Sequence, residues 1–122
     1  MIVVALVIAG AIGAMARFWL DSEIKARWSS AMPWGTWFIN VTGSLLLGVL
    51  AGLVINAGMP AEVQAVIGTG FCGGYTTFST ASFETVRLIE KRQLRASLLY
   101  ASASVVAAAG ACGGGLAITY LL

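Results

Sequence analysis

The chain has 122 residues, 59% of them hydrophobic and 10% charged, where an ordinary soluble domain carries about 25% charged residues. A water-soluble fold could not hide so much apolar surface. At about 20 residues per crossing the length accommodates one domain over residues 1–122 with four membrane spans and no separate soluble module. The formal charge of +2 is too small to suggest nucleic-acid binding. There is no histidine, and Cys72 and Cys112 lie far apart in apolar stretches, so neither a side-chain metal centre nor a redox pair is indicated. Both thiols read as small buried side chains.

Met1 to Leu20 is apolar except for Arg17, and 20 helical residues reach roughly the 30 Å of the hydrocarbon layer. The small residues Gly13-Ala14-Met15-Ala16 resemble a signal-cleavage site. However, the basic n-region is missing and further long apolar segments follow, so this is predicted to be the first span. Asp21 to Pro33, with Asp21, Glu23, Lys25, Arg27 and Trp28, is predicted to be an interfacial connecting loop. Trp34 to about Ile55 is uncharged and forms the second span, with Trp34 and Trp37 in an aromatic belt. On it Thr36, Asn40 and Ser44 share one face, and an asparagine in hydrocarbon needs a partner. Ser44, Gly48 and Gly52 form a small-residue ladder suited to helix packing. Asn56 to Pro60 is a turn.

The third span, Ala61 to about Leu88, contains Gly70-Phe71-Cys72-Gly73-Gly74-Tyr75-Thr76-Thr77-Phe78-Ser79-Thr80. Glycine costs about 1 kcal/mol per helical position, and hydroxyl side chains compete for backbone hydrogen bonds. The helix is therefore predicted to break in the Gly73–Thr77 region, with Thr76 or Thr77 capping its second half. Irregular backbone at membrane depth is tolerated only inside protein or along a watery cavity, so such a break marks a site. Freed carbonyls there can hold a cation, and amide donors with the dipole of the next half-helix attract an anion. Glu84, like Arg17, is expected to be interfacial or paired. Ala96 to Leu122 is an uncharged fourth span on which Tyr100, Ser104, Ala108 and Cys112 share a face. No nucleophile–base arrangement suggests an enzyme.

The Gly70–Thr80 string, with Gly35-Thr36-Trp37-Phe38-Ile39-Asn40-Val41-Thr42-Gly43 upstream, closely resembles the Fluc (CrcB) family of fluoride channels. The likeness covers essentially the whole chain, including the four-span layout and the early Arg17. It implies an all-α membrane protein that forms an antiparallel dimer with two fluoride pores. It further implies a structural sodium ion at the dimer centre, held by backbone carbonyls of Gly73 and Thr76. Asn40, Phe78, Thr36, Tyr100 and Ser104 would face a pore. The residue types suit that chemistry, because fluoride is small and tightly hydrated, and amide, hydroxyl and the positive edges of phenylalanine rings can replace its water. A cation held nearby adds a favourable fixed field.

Two departures from the family affect the same pathway. The family typically reads TTFSTF, with both rings lining pores, whereas Ala81 stands at the second. Phe83 is two helical positions, about 200°, away and cannot replace it. Ala108 and Cys112 stand where the family often has hydroxyls. In addition, Lys25, Arg27, Arg87, Lys91, Arg92 and Arg95 all lie on or beside the first and third connections, and the second has no Lys or Arg. The positive-inside rule then places the loops near Lys25 and Lys91 in the cytoplasm of a multi-pass cell-membrane protein. A bias this strong disfavours insertion of the same chain in both directions. The expected partner is a homologous, oppositely oriented chain in preference to a second copy, with one of the two pores impaired. The expected function is release of cytoplasmic fluoride, which lowers its toxicity. The alternatives are a largely non-conducting scaffold subunit and, last, a four-span multidrug exporter, whose proton-coupled kind needs a first-helix glutamate that does not occur before Asp21.

Overall fold

The computed structural model describes residues 1–28 and 32–121. Among these every regular element is helical: α1 (Ile2–Arg27), α2 (Trp34–Ala57), α3 (Ala61–Val63), a π-wound stretch π1 (Gln64–Cys72), α4 (Gly73–Tyr75), α5 (Ser79–Glu90) and α6 (Leu94–Tyr120). Three of them, α1, α2 and α6, are long and apolar enough to cross a membrane. The predicted third span is present in two pieces, 61–75 and Ser79–Glu90, neither of which reaches that length alone.

The first helix corrects the predicted loop. Helix α1 continues without interruption through Asp21 to Arg27. Its last turns carry two i,i+4 ion pairs, Asp21–Lys25 at 3.0 Å and Glu23–Arg27 at 3.7 Å. Each such pair adds only a few tenths of a kcal/mol, but acid before base is the favourable order, and Lys25 and Arg27 sit at the negative end of the helix dipole. Alternating charge, read as an interfacial loop, is here the solvated continuation of a helix.

Helix α2 ends as its sequence suggests, two residues later than expected. Gly58 adopts φ +70°, a left-handed conformation that favours glycine. Its turn lets the Met59 amide reach back to the Leu53 carbonyl at 3.2 Å, and Pro60 then prevents further winding.

The packing is made by small residues. Helix α2 lies most extensively on α6. A Cβ added at Gly48 would overlap the Cys112 carbonyl, and one at Gly52 would overlap the Thr119 hydroxyl. The ladder foreseen on α2 thus holds α6, although its first member, Ser44, faces a groove instead. Beyond the ladder, the Asn56 side-chain amide donates to the Thr119 hydroxyl at 3.0 Å, which donates on to the Leu116 carbonyl at 2.6 Å. Helix α1 lies against π1 and α4 in the same manner: a Cβ on Gly74 would strike the Gly10 carbonyl, and one on Gly13 the Phe71 carbonyl. Cys72 is buried and Cys112 half-buried.

Because the α2–α6 backbones touch at Gly48, Gly48→Val is expected to destabilise the fold by about 1–3 kcal/mol through overpacking. Gly110→Ala, whose Cβ meets nothing within 4 Å, should be neutral or gain up to about 1 kcal/mol of helix propensity. Denaturant unfolding in micelles, followed by circular dichroism, separates the two.

Candidate functional site

The break overlaps the C-terminal end of the predicted Gly73–Thr77 region and extends to Phe78. Gly70, Gly73 and Gly74 all remain helical, Gly73 and Gly74 within α4; a Cβ would overlap the Gly10 carbonyl at Gly74 and crowd Ala9 and Leu6 at Gly70, whereas Gly73 meets nothing within 4 Å. The backbone leaves the helix at Thr76, which is extended at φ −82°, ψ 161°. The last regular acceptor is the Cys72 carbonyl, which takes both the Thr76 amide at 2.9 Å and the Thr76 hydroxyl at 2.8 Å.

The interruption is held open by one side chain. Asn40 on α2 donates its Nδ2 to the Thr77 carbonyl at 2.9 Å and accepts the Thr77 amide on Oδ1 at 2.8 Å. Two facing bonds of this kind reproduce what a neighbouring strand would offer. The Thr77 hydroxyl then accepts the Thr80 amide at 3.1 Å and lies 3.3 Å from the Ser79 hydroxyl, so it caps the first turn of α5. In an unbroken helix the Thr77 amide would bond the Gly73 carbonyl and the Thr80 amide the Thr76 carbonyl. Both amides are engaged elsewhere. The carbonyls of Gly73 and Thr76, named from the family resemblance, are released in this way, and those of Gly74 and Tyr75 likewise receive no helical amide among the described residues.

A groove of about 790 Å³ runs past the break and gathers Asn40, Gly73, Thr76, Phe78 and Ser104 on one wall, together with Ala81 and Ala108. Phe78 is 87% exposed there. Phe83 is not among the lining residues, in keeping with the 200° offset. Thr36 and Tyr100 stand elsewhere: each is only 2% exposed and neither lines the groove. They form a polar column behind it. The Thr36 hydroxyl donates to the Glu84 carboxylate at 2.5 Å, which meets the expectation that Glu84 is paired. The Tyr100 hydroxyl lies among Thr36, Ser104 and Glu84. Neither it nor the buried Ser104 hydroxyl has a hydrogen-bond partner among the described residues. Leaving a buried hydroxyl unpaired costs about 1–3 kcal/mol. Arg17 is half-buried on α1 and makes no ion pair among the described residues.

Several partners were not evident beforehand. Thr42 joins its hydroxyl to that of Tyr75 at 2.9 Å, and the Tyr75 ring stacks on Phe71 at 5.5 Å. Trp37, assigned to an aromatic belt, also donates its indole N–H to the Ala103 carbonyl at 3.3 Å. A usable signal existed for the central contact. Thr36 and Asn40 are one turn apart on α2 and meet Glu84 and Thr77, seven residues apart on the other side.

Residues 4–116 match the family model described as "CrcB-like protein, Camphor Resistance (CrcB)". The chain belongs to the CrcB family. It is 50% identical over 116 residues to the fluoride-specific ion channel FluC 1 of Leifsonia xyli subsp. xyli, covering 95% of this chain and 85% of the relative. Against fluoride-specific ion channel FluC 1 of Nitrobacter hamburgensis it is 40% identical over 121 residues, covering 98% and 96%. It is 54% identical over 81 residues to fluoride-specific ion channel FluC 2 of Cutibacterium acnes, covering 66% of each. These CrcB relatives are named as ion channels, not enzymes, which agrees with the expectation from the residues.

If Asn40 alone holds the break, Asn40→Ala removes two bonds worth roughly 1 kcal/mol each. Hydrogen exchange at residues 76–80 is then expected to quicken about tenfold or more, with α2 and α6 unchanged. Amide exchange measured by mass spectrometry in detergent tests it.

Proposed function

We propose that the chain is a subunit of a fluoride-specific channel through which cytoplasmic fluoride leaves the cell. The observation that carries this is the groove beside the broken helix, in a chain half identical to a protein named as such a channel. Its wall offers an amide side chain, hydroxyls and an exposed phenylalanine edge, the donors that can stand in for the water of a small, hard anion. Behind it the unpaired hydroxyls of Tyr100 and Ser104 continue the line of donors towards Thr36 and Glu84.

In this reading the pieces 61–75 and Ser79–Glu90 together make the fourth crossing. An exposed Phe78, released carbonyls and extended backbone cannot face lipid tails, because unpaired amide groups there cost several kcal/mol each. A second subunit covers the groove, antiparallel to the first. The Gly73 and Thr76 carbonyls supply hard oxygen ligands of the kind sodium takes, and a cation bound there stabilises an approaching anion by its fixed charge. No carboxylate is needed for that role.

The basic residues favour a single orientation. Lys25 and Arg27 end α1, and Arg87, Lys91, Arg92 and Arg95 surround the α5–α6 turn, whereas the Gly58–Pro60 turn has none. Both basic connections then lie in the cytoplasm. The antiparallel partner is therefore a homologous chain of opposite bias. Ala81, on the groove wall where the family has a second ring, leaves one pore impaired. The same residue favours the second reading, a scaffold subunit that conducts little itself.

Fluoride efflux from liposomes tests these points. Alone, the chain should release fluoride slowly; with its partner it should release fluoride and not chloride. Fast flux from the purified chain alone would remove the need for a partner. Asn40→Ala with Phe78→Ile in this chain only should slow the complex at least about tenfold, an effect of roughly 1.4 kcal/mol on the barrier; unchanged flux would favour the scaffold. Replacing sodium by N-methylglucamine should abolish flux, and persistence of flux would overturn the sodium assignment.

A further inference from the structure

All four tryptophans of the chain meet at one end of the molecule. Trp19 and Trp28, from α1 and its C-cap, and Trp34 and Trp37, from the start of α2, line a slot of about 440 Å³ with Phe38. The slot shares no residue with the groove at the break, so the proposed channel does not explain it. An ordinary aromatic belt spreads its rings around the protein perimeter at both interfaces. Here the rings converge. Trp34 and Trp37 pack edge to face with centroids 6.0 Å apart, while Trp19 and Trp28 remain 64% and 67% exposed.

A second cavity adjoins the slot. Ile24, Trp28 and Trp34 form a wall shared with a recess of about 330 Å³. That recess is lined by three cations, Lys25, Arg87 and Lys91, against one carboxylate, Glu84. Glu84 is engaged by the Thr36 hydroxyl, and Lys25 is held by Asp21. Arg87 and Lys91 make no ion pair among the described residues. An apolar, aromatic slot thus opens directly beside a recess with an excess of positive charge, on helices that cross the membrane.

We infer that the two cavities form one binding site for an anionic glycerophospholipid, with an acyl chain in the tryptophan slot and the phosphate on the Arg87–Lys91 side of the recess. The aromatic walls suit the amphipathic boundary between acyl chain and headgroup, and basic recesses between membrane helices are the recognised setting for anionic headgroups. A zwitterionic lipid would bring a quaternary ammonium into a recess already in excess of positive charge. A soluble anion would leave the slot unfilled. The inference does not depend on ion conduction.

The tryptophans themselves report on the site, since none lies elsewhere. The protein is reconstituted in vesicles containing phosphatidylglycerol or phosphatidylcholine with brominated acyl chains, each diluted into the other lipid unbrominated. Brominated phosphatidylglycerol is expected to quench tryptophan fluorescence with at least a threefold higher relative association constant. Arg87→Gln with Lys91→Gln should bring that ratio to about one while both lipids still quench. Lys91→Gln alone, in the α5–α6 turn, should lower it partway. The preference should weaken at high salt, which screens charge, and survive 10 mM inorganic phosphate. Equal quenching by the two lipids in the unaltered protein would overturn the inference, as would a preference that the double variant retains. Loss of the preference on adding phosphate would point to a soluble anion and also overturn it.

Discussion

The architecture of the site depends on the pair of hydrogen bonds between Asn40 and the Thr77 backbone. A helix interrupted within a membrane has two unsatisfied ends and no water to satisfy them. Asn40 supplies both a donor and an acceptor to one residue, and by doing so redirects the chain. The Thr77 amide, once bound to α2, no longer serves the Gly73 carbonyl, and the Thr77 hydroxyl becomes available to cap α5. One amide side chain thus fixes the backbone at the break and, through the Thr77 hydroxyl, the start of the next helix.

That side chain can act only because α2 is itself held firmly. Its Gly48 and Gly52 admit α6, and its Thr36, Asn40 and Thr42 bond Glu84, Thr77 and Tyr75. The helix therefore combines close packing at its glycines with polar contacts in more than one direction, since Asn40 and Thr42 stand about 200° apart around it. The core contains few large side chains; Ile39, Leu50, Leu88 and Tyr100 are its main buried ones. This is expected where helices associate without a hydrophobic driving force and depend on close contact and interhelical hydrogen bonds.

Much of this was legible in the residues. Runs without charge located α2 and α6, and the Gly–Pro turn located the end of α2. The small-residue ladder identified a packing face of α2, on which Gly48 and Gly52 meet α6. What was misread had physical causes. The glycines from Gly70 to Gly74 suggested a helix break because glycine is a poor helix former, yet a helix pressed against α1 at Gly10 and Gly13 needs glycine to approach it at all. Propensity gave way to packing. The charged stretch from Asp21 to Arg27 was taken for a loop because charge does not enter hydrocarbon, but a helix need not stop at the membrane edge. The Thr36–Glu84 bond joins residues 48 apart, and no local pattern in either segment specifies the partner. Thr36 and Tyr100, grouped with the pore from family likeness, are both buried and do not line the groove at the break, a placement that the packing of α6 on α2 sets.

Helix α1 also sets depth. Its stretch 2–20, apolar except for Arg17, measures about 29 Å at 1.5 Å per residue, close to the roughly 30 Å of hydrocarbon in a bilayer. Its charged last turns mark one water boundary, so the helix acts as a ruler across the membrane. Gly10 and Gly13, which touch α4 and π1, lie near the middle of that ruler. The interruption just beyond α4 is therefore close to the bilayer midplane, about 15 Å from water on either side by the same scale. At that depth a continuous helix would present an ion with an unbroken apolar barrier. The break brings free carbonyls and hydroxyls into the least polar layer of the membrane.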